Sequence, residues 1–224
     1  MYSSKKIVTK RREIGLDDAI NFLPYYTNSP WLKGEDRFIF FAVQKGRHHI
    51  CKYDVKSDSM KIVRHLNEID KYNDNMEYST LLCLSSVVLP ESNQIVIPFK
   101  NQLFLMDIDR DSAAELLFEY DKKYSLGGAL AVDNSQRYLV VRRGIYKEEK
   151  SLFVFYDLEN RTILKEIEMP FFSNHMQFLE NPDWIMFAHE GPAEEVSDRV
   201  NTLNWRTGEI FNAYKQQYNE NGEL

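Results

Sequence analysis

Phe171-Phe172-Ser173-Asn174-His175-Met176-Gln177-Phe178 is followed, ten residues after Asn174, by Trp184-Ile185-Met186-Phe187. Both runs are rich in aromatic and apolar residues, as β-strands are. On a strand, residues two apart share a face, so His175 and Gln177 are expected on one side and Met176 and Phe178 on the other. Ile185, Phe187 and His189 alternate together in the same way, and Glu190-Gly191-Pro192 reads as the turn that ends the second strand.

The spacing recurs upstream. Tyr25-Tyr26-Thr27-Asn28-Ser29-Pro30-Trp31 resembles the opening run, and ten residues after Asn28 comes Phe38-Ile39-Phe40-Phe41. Ser85 is followed at the same distance by Ile95-Val96-Ile97, and Gly128 by Tyr138-Leu139-Val140-Val141. Each unit then has a third strand ending in a polar residue. These marks, Asp54, Asp107, Asp157 and Asn204, are 53, 50 and 47 residues apart. A fourth strand follows each mark: Lys61-Ile62-Val63, Leu116-Leu117-Phe118, Ile163 to Ile167 and Glu209-Ile210-Phe211. Polar hairpin tips, such as Glu159-Asn160-Arg161, lie between third and fourth strands.

Four strands per unit at a period of about 40–50 residues is the signature of β-propeller blades. The expected fold is therefore all-β, a β-propeller with about four four-stranded blades centred on 25–66, 80–120, 124–168 and 170–214. Residues 1–20 form an N-terminal edge segment, and 21–224 a single, incomplete propeller domain. A β-sandwich also suits short strands with turns, but the matched spacing in four units favours blades. No Trp-Asp repeat signature is present. The polar stretch from Asp70 to Tyr78 reads as a loop between units one and two.

The formal net charge of −6 argues against a general nucleic-acid binder. No apolar run reaches the ~18 residues of a membrane span. Met1 to Arg12 has no apolar core of a signal peptide, and Cys51 and Cys83 read as buried thiols, so the cytoplasm is the expected compartment.

Comparing the units singles out residues that the blade itself does not require. His175 stands where other units have Ser29, Ser86 and Ala129, and Gln177 where they have Trp31, Val88 and Ala131. His189 matches Val43, Lys100 and Arg143 at a strand end. His48, His49 and His65 read as surface strand residues. Arg137, Arg142, Arg143, Lys147 and Lys150 form a basic run that could guide an anionic ligand, although Glu148 and Glu149 are there to neutralise it. Asp107, Asp109 and Asp111 lack the glycine and glutamate of a calcium loop and read as a hairpin tip.

Asn174-His175-Met176-Gln177-Phe178, Phe187-Ala188-His189-Glu190-Gly191-Pro192, Arg199 and Asn204 resemble the oligogalacturonate lyase family. Tyr25 to Asn28, Asp36 to Phe41 and Ile50 to Val55 resemble that family's first blade. The resemblance implies a seven-bladed cytoplasmic propeller that cleaves short pectin-derived uronate oligosaccharides by β-elimination, with a divalent metal, usually manganese. It implies His175 as base, with Arg199 meeting a carboxylate, and Gln177, His189 and Glu190 binding substrate; Arg143, from the basic run, is a further candidate for binding substrate. The metal ligands are unknown in this chain. Four units do not make seven blades, and the family's metal-binding His and Gln cluster lies largely beyond them. The expectation is thus a partial relative with weak or absent lyase activity, binding an acidic oligosaccharide and open to homo-oligomer formation through exposed blade faces. The alternative is a non-catalytic propeller module that binds a carbohydrate or a protein.

Overall fold

The computed structural model describes residues 12–24, 28–34, 36–66, 85–99, 101–110, 112–121, 124–125, 130–145, 150–192, 195–214 and 217. The loop expected over Asp70–Tyr78, the basic segment up to Arg11, Cys83, Lys147, Glu148 and Glu149 lie outside these residues.

Four antiparallel sheets follow one another along the chain. Sheet one holds β1 (Ile20–Phe22), β2 (Arg37–Gln44), β3 (Arg47–Asp54) and β4 (Ser59–His65). Sheet two holds β5 (Val87–Leu89), β6 (Gln94–Phe99), β7 (Gln102–Asp107) and β8 (Glu115–Glu119). Sheet three has the short β9 (Tyr124–Ser125), then β10 (Leu130–Val132), β11 (Tyr138–Ile145), β12 (Lys150–Asp157) and β13 (Thr162–Met169). Sheet four holds β14 (Ser173–Phe178), β15 (Trp184–His189), β16 (Val200–Asn204) and β17 (Ile210–Tyr214). Each is an up-and-down meander with sequence neighbours paired, save that β9 of sheet three pairs β11 rather than β10.

Strand alternation builds the stack. On β11, Leu139 and Val141 face sheet two and pack with Val96, Leu103 and Leu105. Val140, one residue between them, faces sheet four and packs with Met176, Ile185, Phe187 and Trp205. Ile39, Phe41 and Ile50 of sheet one meet Val88, Ile95 and Met106 of sheet two. An inner sheet that is apolar on both faces must be covered on both faces, and stacking the units in chain order does this. The outer face of sheet one, with Phe40, Ala42, Cys51 and Tyr53, is covered by Leu16 and Ala19.

The recurring polar mark has a physical cause. Asp54 accepts the Ser57 N–H at 2.8 Å. Asp107 accepts the N–H groups of Asp109 and Arg110 at 2.9 and 2.7 Å. Asp157 accepts those of Glu159 and Asn160 at 2.9 and 3.0 Å, and Asn204 those of Arg206 and Thr207 at 3.0 and 3.1 Å. In each unit the mark holds the hairpin tip with its own side chain. Four residues after Asp54, Asp157 and Asn204 come Asp58, Arg161 and Gly208, with φ of 54°, 56° and 90°.

The histidines of sheet one correct the sequence reading. His48 and His49 are buried, at 5% and 3% exposure, and only His65 stays exposed. β3 lies between β2 and β4, and both faces of its sheet are covered, so neither residue reaches the surface.

Candidate functional site

The first strand of sheet four is irregular where it matters. Asn174 pairs with Ala188 and Gln177 with Met186, so two residues of β14 oppose one of β15. That is a β-bulge, and His175 within it has φ of 54°. A non-glycine residue in the left-handed region costs about 1–2 kcal/mol and re-aims its side chain. Simple alternation therefore does not carry across His175. Gln177 shares a face with Asn174, Met186 and Ala188 through the pairing, while Met176 enters the core.

Re-aimed by the bulge, His175 Nε2 lies 2.8 Å from Glu190 Oε1, both side chains about one quarter exposed. His189 ends β15, and its Nδ1 lies 3.0 Å from Asp198 Oδ1. The His189 ring stacks on Phe171, with centroids 3.9 Å apart and planes at 23°. Two imidazole–carboxylate pairs thus stand at the same end of sheet four.

The connection from β15 to β16 is held at its base. The His189 N–H donates to Arg199 O at 2.9 Å, the Glu190 N–H to Phe172 O at 2.9 Å, and Arg199 Nη2 to Gly191 O at 2.8 Å. At Gly191 a Cβ would stand 2.7 Å from the Val196 side chain, so glycine lets the connection close on itself. A cleft of about 790 Å³ opens beside it, lined by Phe171, Phe172, His189, Glu190, Pro192 and Glu195 among others.

Arg142 lies behind this cleft. Its guanidinium sits 4.2 Å over the Phe172 ring, and its Nε donates to Ser151 Oγ at 3.2 Å. Ser151 Oγ also accepts the Ser173 N–H at 2.9 Å, which fastens the start of β14 to sheet three. Burial pushes the Arg142 pKa down to about 10, with Glu190 opposing the shift and Arg143 adding to it. Arg143, its neighbour on β11, points the other way and lies 3.8 Å over Tyr120.

The structure therefore sorts the expected site residues. His175, His189 and Glu190 come together, and Arg199 braces the connection through Gly191. His189 and Glu190 line the cleft. His175 reaches it through Glu190, and Gln177 is not among its lining residues. Arg143 faces sheet two, and the arginine beside the cleft is Arg142. Parity with Val140 on β11 signalled this, since Val140 and Arg142 share a face. Asp198 and the Phe171 ring were missed; nothing local in the sequence joins Asp198 to His189.

Among the described residues, no group of three or more His, Cys, Asp or Glu side chains is placed to hold a metal ion. His175, Gln177 and His189, the three side chains of the expected site that could act as nitrogen and oxygen ligands, do not converge on one point. Gln177 does not join the two imidazoles at the cleft.

No protein-family profile and no curated protein matches the chain. Solved structures do match its fold. An oligogalacturonate lyase from Vibrio parahaemolyticus is similar at a TM-score of 0.72 and 11% identity, over 89% of this chain and 55% of that one. An oligogalacturonate lyase in complex with manganese is similar at 0.71 and 12% identity, over 90% and 55%. The β-propeller domain of the Trilobed protease from Pyrococcus furiosus is similar at 0.54 and 14% identity, over 88% and 59%. The fold is a partial β-propeller. The chain spans 55% of the length of these lyases. Identities this low show the fold alone.

Proposed function

We propose that this propeller binds a carbohydrate in the cleft beside Glu190, with a short acidic oligosaccharide as the first candidate ligand. The observation that carries this reading is His189. Its ring is stacked on Phe171, oriented by Asp198 and set in the cleft wall beside Glu190. Aromatic faces suit the C–H face of a sugar ring, and imidazole and carboxylate groups suit its hydroxyls. Arg142 supplies positive charge behind Phe172 for a uronate carboxylate, acting through its field rather than by contact. The likeness to lyases acting on oligogalacturonate supports the choice of an acidic sugar.

Lyase chemistry in this chain is proposed to be weak. β-Elimination needs a base for the C5 proton, and a base typically contributes ~10²–10⁴ in rate. Stabilising the enolate-like charge is usually the larger effect. The described residues offer no metal cluster for it. For the base we favour His189 over His175. Asp198 holds one nitrogen of His189 in the cleft wall and leaves the other to act. We also propose a cytoplasmic location, where a buried free thiol such as Cys51 is usual. The outer face of sheet four, with Trp184 and Phe211 in contact, is the proposed surface for any homo-oligomer.

The test is calorimetric titration of the purified chain with trigalacturonate and, in a second arm, with a neutral trisaccharide. Ultraviolet absorbance of the unsaturated product is followed in parallel with and without manganese. Binding of trigalacturonate with little turnover supports the proposal. Binding of neither sugar overturns it, and rapid turnover shows a complete lyase.

A further inference from the structure

A second pair of histidines, on the opposite end sheet, belongs to no part of the cleft. His49 and His65 are direct cross-strand partners on β3 and β4. Their Nδ1 atoms lie 2.8 Å apart, with ring planes at 76°. His49 is buried and His65 exposed, so one ring is fixed by packing while the other meets solvent. We propose that these two imidazoles form a two-nitrogen binding site for a divalent transition-metal ion of the Cu²⁺ or Ni²⁺ type.

The spacing brings both nitrogens within reach of one ion. Two imidazole nitrogens at about 2.0 Å from one ion span about 2.8 Å when the N–metal–N angle is 90°, and about 3.3 Å when it is tetrahedral. The observed 2.8 Å is that of a hydrogen bond, and a small turn of the exposed His65 ring aims both nitrogens at one ion; among divalent ions imidazole pairs hold Cu²⁺ and Ni²⁺ well, Cu²⁺ most tightly. Without metal the same distance is one hydrogen bond, in which one Nδ1 carries the proton and the other accepts. Metal binding at both Nδ1 atoms moves the remaining protons to the Nε2 positions, so neutral rings lose no proton overall.

Burial lowers the His49 pKa, and the charges of His65, His48 and Arg47 lower it further. Arg47, four residues from Cys51 on the same face of β3, also opposes a second cation, so the affinity is moderate. No third His, Cys, Asp or Glu joins the pair among the described residues, and water completes the shell on the His65 side.

The experiment titrates the full chain with Cu²⁺ and with Ni²⁺, read by calorimetry and, for Cu²⁺, by electron paramagnetic resonance. The expected result is one equivalent bound, with nitrogen couplings in the copper spectrum. His65→Ala changes an exposed side chain and keeps the fold. It should weaken binding about tenfold or more, as loss of one of two nitrogen ligands requires. His49→Gln should do the same, while His189→Phe should leave binding unchanged. Equal copper affinity in wild type and His65→Ala, or a spectrum without nitrogen coupling, overturns the proposal.

Discussion

His175 Nε2 stands 2.8 Å from Glu190 Oε1, and the contact joins a left-handed residue in a bulge to the first residue after β15. β1 and the single bridge of Trp31 to Phe38 divide the first-strand role in sheet one, and β9 and β10 divide it in sheet three. In sheet four the strand is unbroken, and the bulge turns a side chain toward the cleft instead.

The φ of 54° at His175 makes a backbone prediction that is independent of any ligand. His175→Asn and His175→Gly tolerate the left-handed region, whereas His175→Val does not. The valine variant should be less stable than the asparagine variant by about 1–2 kcal/mol. Urea unfolding of the variants checks this. Equal stability would mean that the bulge relaxes when the imidazole is removed.

Asp157 predicts an acid limb of stability. Burial alone would raise its carboxyl pKa. Hydrogen bonds from Arg137 and Asn160, with the N–H groups of Asn160 and Glu159, more than offset this and hold it down at about 2. A depressed carboxyl stabilises the fold above its unfolded value. That contribution is lost as the pH falls from about 4 to about 2, and amounts to roughly 2 kcal/mol. Asp157→Asn keeps a turn acceptor, loses the Arg137 ion pair and should flatten this limb. Asp157→Ala should cost about 2–3 kcal/mol, because it also leaves the hairpin N–H groups unheld. Unfolding midpoints measured from pH 5 to pH 2 on wild type and both variants decide the matter.

Cys51 is fully buried, and burial pushes its thiol up to about 12. Only the thiolate reacts with disulfide reagents, so in the folded chain Cys51 should be silent. In a Cys83→Ser background, one thiol should titrate in denaturant and none within minutes in native buffer. Prompt native reaction would show that the outer face of sheet one, covered by Leu16 and Ala19, opens readily.

The blades were legible because their causes are local. A ten-residue spacing between first and second strands, and a polar residue that caps each third-to-fourth hairpin, are both written along the chain. The two-sided cores followed from alternation, as Val140 and Val141 show by facing opposite neighbours. The same rule failed at His175, because a bulge shifts the parity and no composition cue marks it. It also exposes the choice of Arg143 over Arg142, which needed the parity of β11 rather than the position of a strand end. His48 and His49 were misplaced because burial of a strand on both faces depends on what packs there. Asp198 could not be read at all, since its contact with His189 depends on how the connection from Gly191 to Arg199 folds back.

The last prediction separates the two imidazoles at the cleft. His189→Phe preserves a ring on Phe171 and removes both nitrogens, so packing changes little while polar contacts to a ligand are lost. It should weaken trigalacturonate binding about tenfold, the value of one hydrogen bond of about 1–1.5 kcal/mol. Asp198→Asn should have a smaller effect, because the Asp198 side chain is nearly half exposed and its grip on the ring is screened by water. His175→Gln should weaken binding only indirectly, through a less firmly held Glu190. Any slow turnover should follow the same order, vanishing in His189→Phe and persisting in His175→Gln. Turnover that survives in His189→Phe and is lost in His175→Gln would instead make His175 the base. That outcome would require the left-handed bulge to present its imidazole to the substrate, with Glu190 swinging away as the sugar enters.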